Sequence, residues 1–514
     1  MTLEQLVGSK FVFGIPGTTV TPEDIQHFKD THCSGLILYR INFESPDQLR
    51  KLISDLESAL GRRLIVTADH EGGRVIMFGE GVTIFPSSQA IGRSGNTQLA
   101  RRMGEQEGRE LRRLGVDVNF APVLDVLTEA YSPNIGIRAY GADPDLVAKM
   151  GAARISALQV EGVSACAKHF PGLGPATLDP HLKLPTISFT WEELERVHVT
   201  PFLRAMRTAV HSIMTSHPLY PNLDSTPRTP ATFSRKIVHD YLRQKIGYKG
   251  VIFTDDLEMG AITEICPIGE AAVKSIEAGH DMVLVCHKRD AQRAAYDAVL
   301  EAARSGRIAE KELEDSSKRI EMLRGRWPER FSAQPATSAR ADKEKADARA
   351  LVQEISTAAT TVLRQGPGLQ SGAKTAIIFP ALASRAHEIM VEPELLSPEK
   401  YLEDRLGTLG ISGTTAIYSF DPTPEEVAAA ANAAGQADQA LVCLYDAHIH
   451  PGEVTLLERV QAAGKRLVVV LLRDAYDVEY VKEGTLCLTN YGARVCDLDA
   501  VLQKAAATAA TADR

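Results

Sequence analysis

Residues 250–256 read GVIFTDD, an apolar and β-branched run that stops abruptly at two adjacent carboxylates. A run this short, with no polar alternation, is the pattern of a strand covered on both faces. Seven more runs of the same kind lie on either side of it. They are FVFG near Phe11, GLILYR from Gly35, LIVTADH from Leu64, VDVNFAP from Val116, VSACAKHF from Val163, HSIMTSH from His211 and DMVLV from Asp281. Longer amphipathic stretches separate them, which is the βα rhythm of a parallel sheet. Eight such units within roughly 300 residues match a TIM-type (β/α)8 barrel in number and size, with a doubly wound open sheet as the runner-up.

Five of these runs end in groups capable of chemistry: Asp69-His70-Glu71, Asn119, Lys168-His169, His217 and Asp255-Asp256. In a barrel the C-terminal strand ends share one face, so these side chains are expected to converge on a single pocket. Taken singly, each is as readily a capping or solvated loop residue; the coincidence of five carries the functional reading.

Periodicity fails between Arg324 and Ala350, where Pro, Ser and dense charge read as a linker whose last third begins a helix. The predicted organisation is a catalytic barrel over 1–325, a linker over 326–350 and a smaller α/β sandwich over 351–514. In the last part ALVQEISTAATTVLR reads as helix. Four apolar runs follow (TAIIFPAL, ALVCLYD, RLVVVLL and TLCLTNYG), with a weaker one at TTAIYSF, and alanine-rich helices lie between them. No glycine-rich nucleotide fingerprint follows the first of these strands.

Composition is that of an ordinary globular protein, 44% hydrophobic and 24% charged. Lys+Arg 57 against Asp+Glu 66 gives a net charge of −9, with no basic stripe for a phosphate backbone, so nucleic acid is not an expected partner. The N-terminal residues MTLEQLVGSKFVFGIPG lack the layout of a signal peptide, and no apolar stretch approaches the roughly 18 residues of a membrane span, so a cytoplasmic location is expected. Seven scattered cysteines without C-x-x-C spacing suggest neither a disulfide framework nor a zinc site. His448 and His450 in DAHIHPGE lack a matched third ligand, so neither metal nor cofactor is expected. A monomer or weak homodimer is expected.

The segment 167–185, AKHFPGLGPATLDPHLKLP, resembles the signature of glycoside hydrolase family 3, in its β-N-acetylglucosaminidase branch, usually K-H-F-P-G-H-G followed by D-S-H-x-x-L-P. Further matching stretches run in order through the first domain: ADHEGGRV, FAPVLDV, IGIRAY, SHPLYP, PATFS, GVIFTDDLEMGAI and EAGHDMVL. Leu173 stands where the family commonly has histidine, and Pro180 replaces the serine of D-S-H.

The resemblance implies a retaining exo-β-N-acetylglucosaminidase that releases terminal GlcNAc from peptidoglycan-derived fragments. Asp255 would be its nucleophile and His181, held by Asp179, its proton donor and acceptor. Asp256 is the competing nucleophile on spacing alone, although strand neighbours alternate faces. An imidazole with a reference pKa near ~6.5 suits acid duty in one half-reaction and base duty in the next. The resemblance assigns sugar recognition to Asp69, Arg74, Arg138, Lys168 and His169, with His217 and Asp125 as lesser candidates. An internal salt bridge of Asp69 with Lys168 or Arg138 is compatible with that role. Because an imidazole base repels an incoming anion less than a glutamate would, phosphorolysis is a variant. A β-glucosidase and a catalytically silent barrel that binds cell-wall sugars are the competing readings.

Overall fold

The structure is a computed structural model and describes residues 1–129, 131–174, 184–326, 338–386 and 389–512. The chain forms two compact units. One comprises Met1–Glu71, Val75–Thr83 and Asn96–Ala348, the other Gly72–Arg74, Ile84–Gly95 and Arg349–Arg514. Ser338–Ala359 is one helix, so the later part of the expected linker is helical and starts earlier than its periodicity suggests. Its run of Ala, Lys, Glu and Arg consists of strong helix formers, and their propensity acts without an apolar stripe to announce it.

The first unit is a closed parallel barrel of β1 (Phe11–Phe13), β2 (Gly35–Leu38), β3 (Ile65–Ala68), β4 (Val118–Asn119), β5 (Ser164–Phe170), β6 (Ser212–Thr215), β7 (Val251–Asp256) and β8 (Met282–Val285). β8 closes on β1 with Val12 opposite Leu284. Each predicted run contains one of these strands. Alternation sorts their residues: Val12, Ile37, Ile65, Cys166, Met214, Phe253 and Leu284 fill the barrel interior, while Phe11, Phe13, Leu36, Leu38, Val66 and Val283 pack outward under the helices. Both faces are therefore apolar, which is why the runs lack alternation. At Gly35 a Cβ would lie 2.7 Å from a Val12 methyl, so glycine lets β2 approach β1.

The second unit holds six strands in the order β11–β10–β12–β13–β14–β9. They are β9 (Thr361–Arg364), β10 (Lys374–Pro380), β11 (Ser412–Tyr418), β12 (Gln439–Leu444), β13 (Arg466–Leu471) and β14 (Leu486–Thr489). Separate apolar cores cover the two faces of this sheet, making the expected sandwich. One element departs from expectation. The helix ends at Ala359, and Thr361–Arg364, read above as its continuation, pairs antiparallel with β14. The β-branched Thr360-Thr361-Val362 favours the extended chain, and an open sheet edge supplies the hydrogen-bond partners that a helical reading overlooks.

Candidate active site

Asp69, His70 and Glu71 follow β3, and their placement is set from below by a buried ion pair. Arg154 and Glu107, both essentially without solvent exposure, meet at 2.7 Å. Arg154 donates to the Glu71 carbonyl at 2.8 Å. Asn119, at the end of β4, accepts from the His70 N–H and donates to the His70 carbonyl. Asn119 is thus a buried brace rather than a pocket residue. The strand end is held by charge-assisted bonds that leave the Asp69 and Glu71 carboxylates free to face β5.

From β5, Lys168 reaches Asp69 at 2.5 Å and Glu71 at 2.6 Å. Arg138 grips Glu71 through two nitrogens, each at 2.8 Å. The Lys168 side chain is only 2% exposed, whereas that of Asp69 is 21% exposed. Asp69 therefore presents to solvent while Lys168 lies beneath it. Two of the three ammonium protons are so directed. Burial alone would raise the Glu71 carboxyl, but Arg138 and Lys168 outweigh it and hold it well below the usual range. Burial likewise raises Asp69; Lys168 opposes, Glu71 and Asp255 add to the rise, and the net direction is upward.

His169 lies next to this network. Its Nδ1 is 2.7 Å from Asp125 and its Nε2 is 3.4 Å from Arg138 Nη2. The other Asp125 oxygen accepts from the Leu173 N–H at 2.6 Å. Leu173 itself is buried, so Asp125 secures the loop through the backbone whatever side chain stands at 173. At Gly174 a Cβ would sit 1.9 Å from the Val126 carbonyl oxygen, which fixes glycine there. Asp125→Ala is expected to leave the buried His169 and Leu173 donors unpaired and to destabilise the protein by about 2–3 kcal/mol, measured by urea unfolding.

Asp255 ends β7 beside these groups. Burial would raise its carboxyl, yet the charges of His217, His169 and Lys168 prevail and lower it. One of its oxygens accepts from the Asp256 N–H at 2.9 Å. The neighbouring Asp256 turns elsewhere: its carboxylate is 3.3 Å from His287 Nε2 and accepts from the Glu258 N–H. His217, predicted to contact sugar, lies 2.7 Å from Thr232 Oγ1 through one ring nitrogen and 2.9 Å from the Asp256 carbonyl through the other. Its charge lowers the Asp255 carboxyl.

Gly72–Arg74 belongs to the second unit, where the Arg74 charge acts on Asp474 and Tyr445. Asp179, Pro180 and His181 lie outside the described residues. Sequence reasoning alone leaves Glu71 a strand-end residue without a role. A charge count finds it, because Lys168 and Arg138 are two cations near one assigned carboxylate. His448 and His450 face different carboxylates, Asp477 and Asp421. Among the described residues no group of three or more His, Cys, Asp or Glu side chains is placed to hold a metal ion, and no helix is long and apolar enough to cross a membrane.

Residues 4–323 match the family model described as the glycosyl hydrolase family 3 N terminal domain. This chain belongs to glycosyl hydrolase family 3. It is 37% identical over 282 residues to a beta-hexosaminidase of Nitrosomonas eutropha, covering 54% of this chain and 80% of the relative. It is also similar to the solved family 3 beta-N-acetylglucosaminidase of Paenibacillus sp. str. FPU-7, at 32% identity and a TM-score of 0.90, over 99% of this chain and 97% of that one. The solved beta-N-acetylhexosaminidase of Beutenbergia cavernae aligns over 63% of this chain and 99% of its own, at 28% identity and a TM-score of 0.59. Similarity to the Paenibacillus enzyme extends through the second unit, whereas the Nitrosomonas relative matches little more than half of the chain.

Proposed function

We propose that this family 3 enzyme is a retaining exo-β-N-acetylglucosaminidase acting on peptidoglycan-derived fragments, with Asp255 as nucleophile and the Asp179–His181 pair as acid/base. The supporting observation is how charge is divided among the carboxylates at the barrel mouth. Glu71 is saturated by Arg138 and Lys168, Asp69 is tied to Lys168, and Asp125 is committed to His169 and the Leu173 N–H. Asp255 alone in this set combines a lowered pKa with no cation in direct contact among the described residues. A carboxylate kept ionised by cations at a distance, rather than by a bound one, retains its lone pairs for attack on C1.

In the first half-reaction Asp255 attacks the anomeric carbon while His181 protonates the leaving oxygen. In the second, His181 takes a proton from the incoming water, and two inversions give net retention. The mouth holds Asp69, Glu71, Asp125 and Asp255 against Lys168, Arg138 and the imidazoles. This balance favours the positive charge that grows on the sugar ring in an oxocarbenium-like transition state. In this reading Asp69, Arg138, Lys168 and His169 bond ring hydroxyls. Because Asp255 is lowered, the acid limb of kcat/KM should fall below the ordinary aspartate value of roughly 3.9.

A 2-fluoro or 5-fluoro glycosyl donor with a GlcNAc configuration should trap a covalent adduct on Asp255, located by peptide mass spectrometry. An adduct elsewhere, or turnover that prefers an aryl glucoside to an aryl GlcNAc, would overturn the assignment. His181→Ala is expected to slow substrates with poor leaving groups by roughly 10²–10⁴, with a smaller first-step loss for activated aryl glycosides. Equal loss across leaving groups would make His181 structural. Adding phosphate to the assay separates phosphorolysis from hydrolysis by the appearance of a sugar 1-phosphate.

A further inference from the structure

At the end of the barrel opposite the catalytic mouth, before β1 and β8 begin, lies a cavity of about 200 Å³. It is lined by Lys10 and Arg319 and, from the helix Lys236–Lys245 and the residue before it, by Arg235, His239 and Arg243. Lys10 is fully buried, and its ammonium donates to the Leu313 carbonyl at 2.8 Å, its acceptor among the described residues. A buried ammonium held by one neutral carbonyl is short of counter-charge.

The charges around the cavity show the same deficit. Asp281, itself fully buried, is shared between Arg243 at 2.6 Å and Arg319 at 2.8 Å. Glu312 lies 3.7 Å from Arg235, both at the half-exposed rim. Asp315 is engaged by Lys311 and Lys318, and Glu321 by Arg324. That leaves Lys10, Arg235, Arg243 and Arg319 facing Asp281 and Glu312, four cations against two anions. Burial, which the neighbouring Asp281 offsets only in part, pulls the Lys10 amine down to about 7. An anion carrying two negative charges would restore the balance and make protonation of Lys10 favourable.

We infer that this cavity is a binding site for a small dianionic phosphate group, free or as a sugar phosphate ester, at the barrel end remote from catalysis. Arg243 is committed to Asp281 and to the Tyr248 and Gly250 carbonyls and contributes charge, whereas Arg319, engaged through Nε with Asp281, turns its paired Nη donors to the phosphate oxygens, and Lys10 supplies a point charge at the back. The volume leaves room beyond the phosphate for a small ester substituent.

The test is thermal unfolding of the full chain in inorganic phosphate or glucose 6-phosphate, against sodium chloride of equal ionic strength. The phosphate arm and the ester arm tell the two sources apart. A rise in Tm of about 2 °C or more is expected at saturating ligand in at least one arm. Lys10→Met should abolish it, Arg235→Ala should weaken it, and Asp255→Asn, at the other end of the barrel, should keep it. Both cavity variants should hydrolyse substrate at the wild-type rate in chloride. If Lys10→Met does not fold, Arg235→Ala at the half-exposed rim carries the test. No shift in either arm, or a full shift in both Lys10→Met and Arg235→Ala, would overturn the inference.

Discussion

Asp255→Asn should fold normally and lose roughly 10⁴–10⁶ in kcat/KM toward an aryl GlcNAc, the largest catalytic effect expected of any single change in this enzyme. The amide keeps the oxygen that accepts from the Asp256 N–H, so the strand end retains its geometry. What disappears is the negative charge and with it the proposed nucleophile. Asp256→Asn is the informative comparison. Its carboxylate faces His287 and the Glu258 N–H, away from the cations around Asp255. It should cost less than about 10-fold, because it removes a support rather than a reacting group. Steady-state kinetics on both variants, with Tm measured in parallel, decides the matter. If Asp256→Asn proves the worse enzyme, the assignment is reversed.

The largest effect on stability should come from Glu71→Ala. This carboxylate is the anion between Lys168 and Arg138, all three nearly buried. Removing it leaves two cations in a low-dielectric site with Asp69 as their one direct anionic partner among the described residues, and breaking a buried pair in this way costs about 3–5 kcal/mol. A loss in Tm on the order of 10 °C follows. The pH dependence has a definite sign. Glu71 is depressed in the folded state, so its contribution is complete above the unfolded value of roughly 4.3 and is lost as pH falls through the folded value. Wild-type stability should therefore decline steeply below about pH 4.5, while Glu71→Ala, already lacking that carboxylate, should decline less over the same interval. Urea unfolding from pH 7 to pH 3 measures both. Parallel curves for the two proteins would show that Glu71 is not the group responsible.

Much of the barrel was legible because each of its signals is local. A strand covered on both faces must be apolar at successive positions, and a turn between strand and helix must be polar, so the runs from Phe11 to Val285 announce themselves within a few residues. The edge strand Thr361–Arg364 was not legible for the opposite reason. Its β-branched residues favour an extended chain only weakly, and what fixes it is the partner Leu486–Thr489, more than a hundred residues away, while the run before it is helical. The same contrast governs the site. Asp255 and Lys168 were visible as charged residues at the ends of apolar runs. Arg74 shared a motif with Asp69, yet the chain turns between them and Gly72–Arg74 joins the other unit. His217, also at a strand end, has its ring nitrogens directed to Thr232 and the Asp256 carbonyl.

By itself the sequence determined the parallel barrel, the sandwich that follows it in the chain and the set of groups at the strand ends, because side-chain period and strand-end polarity are properties of neighbouring residues. Only the tertiary structure decided which charge answers which. Lys168 meets Asp69 across 99 residues, Arg138 meets Glu71 across 67 and His169 meets Asp125 across 44. Coulomb attraction depends on distance in space and on burial, and neither is written in the spacing along the chain.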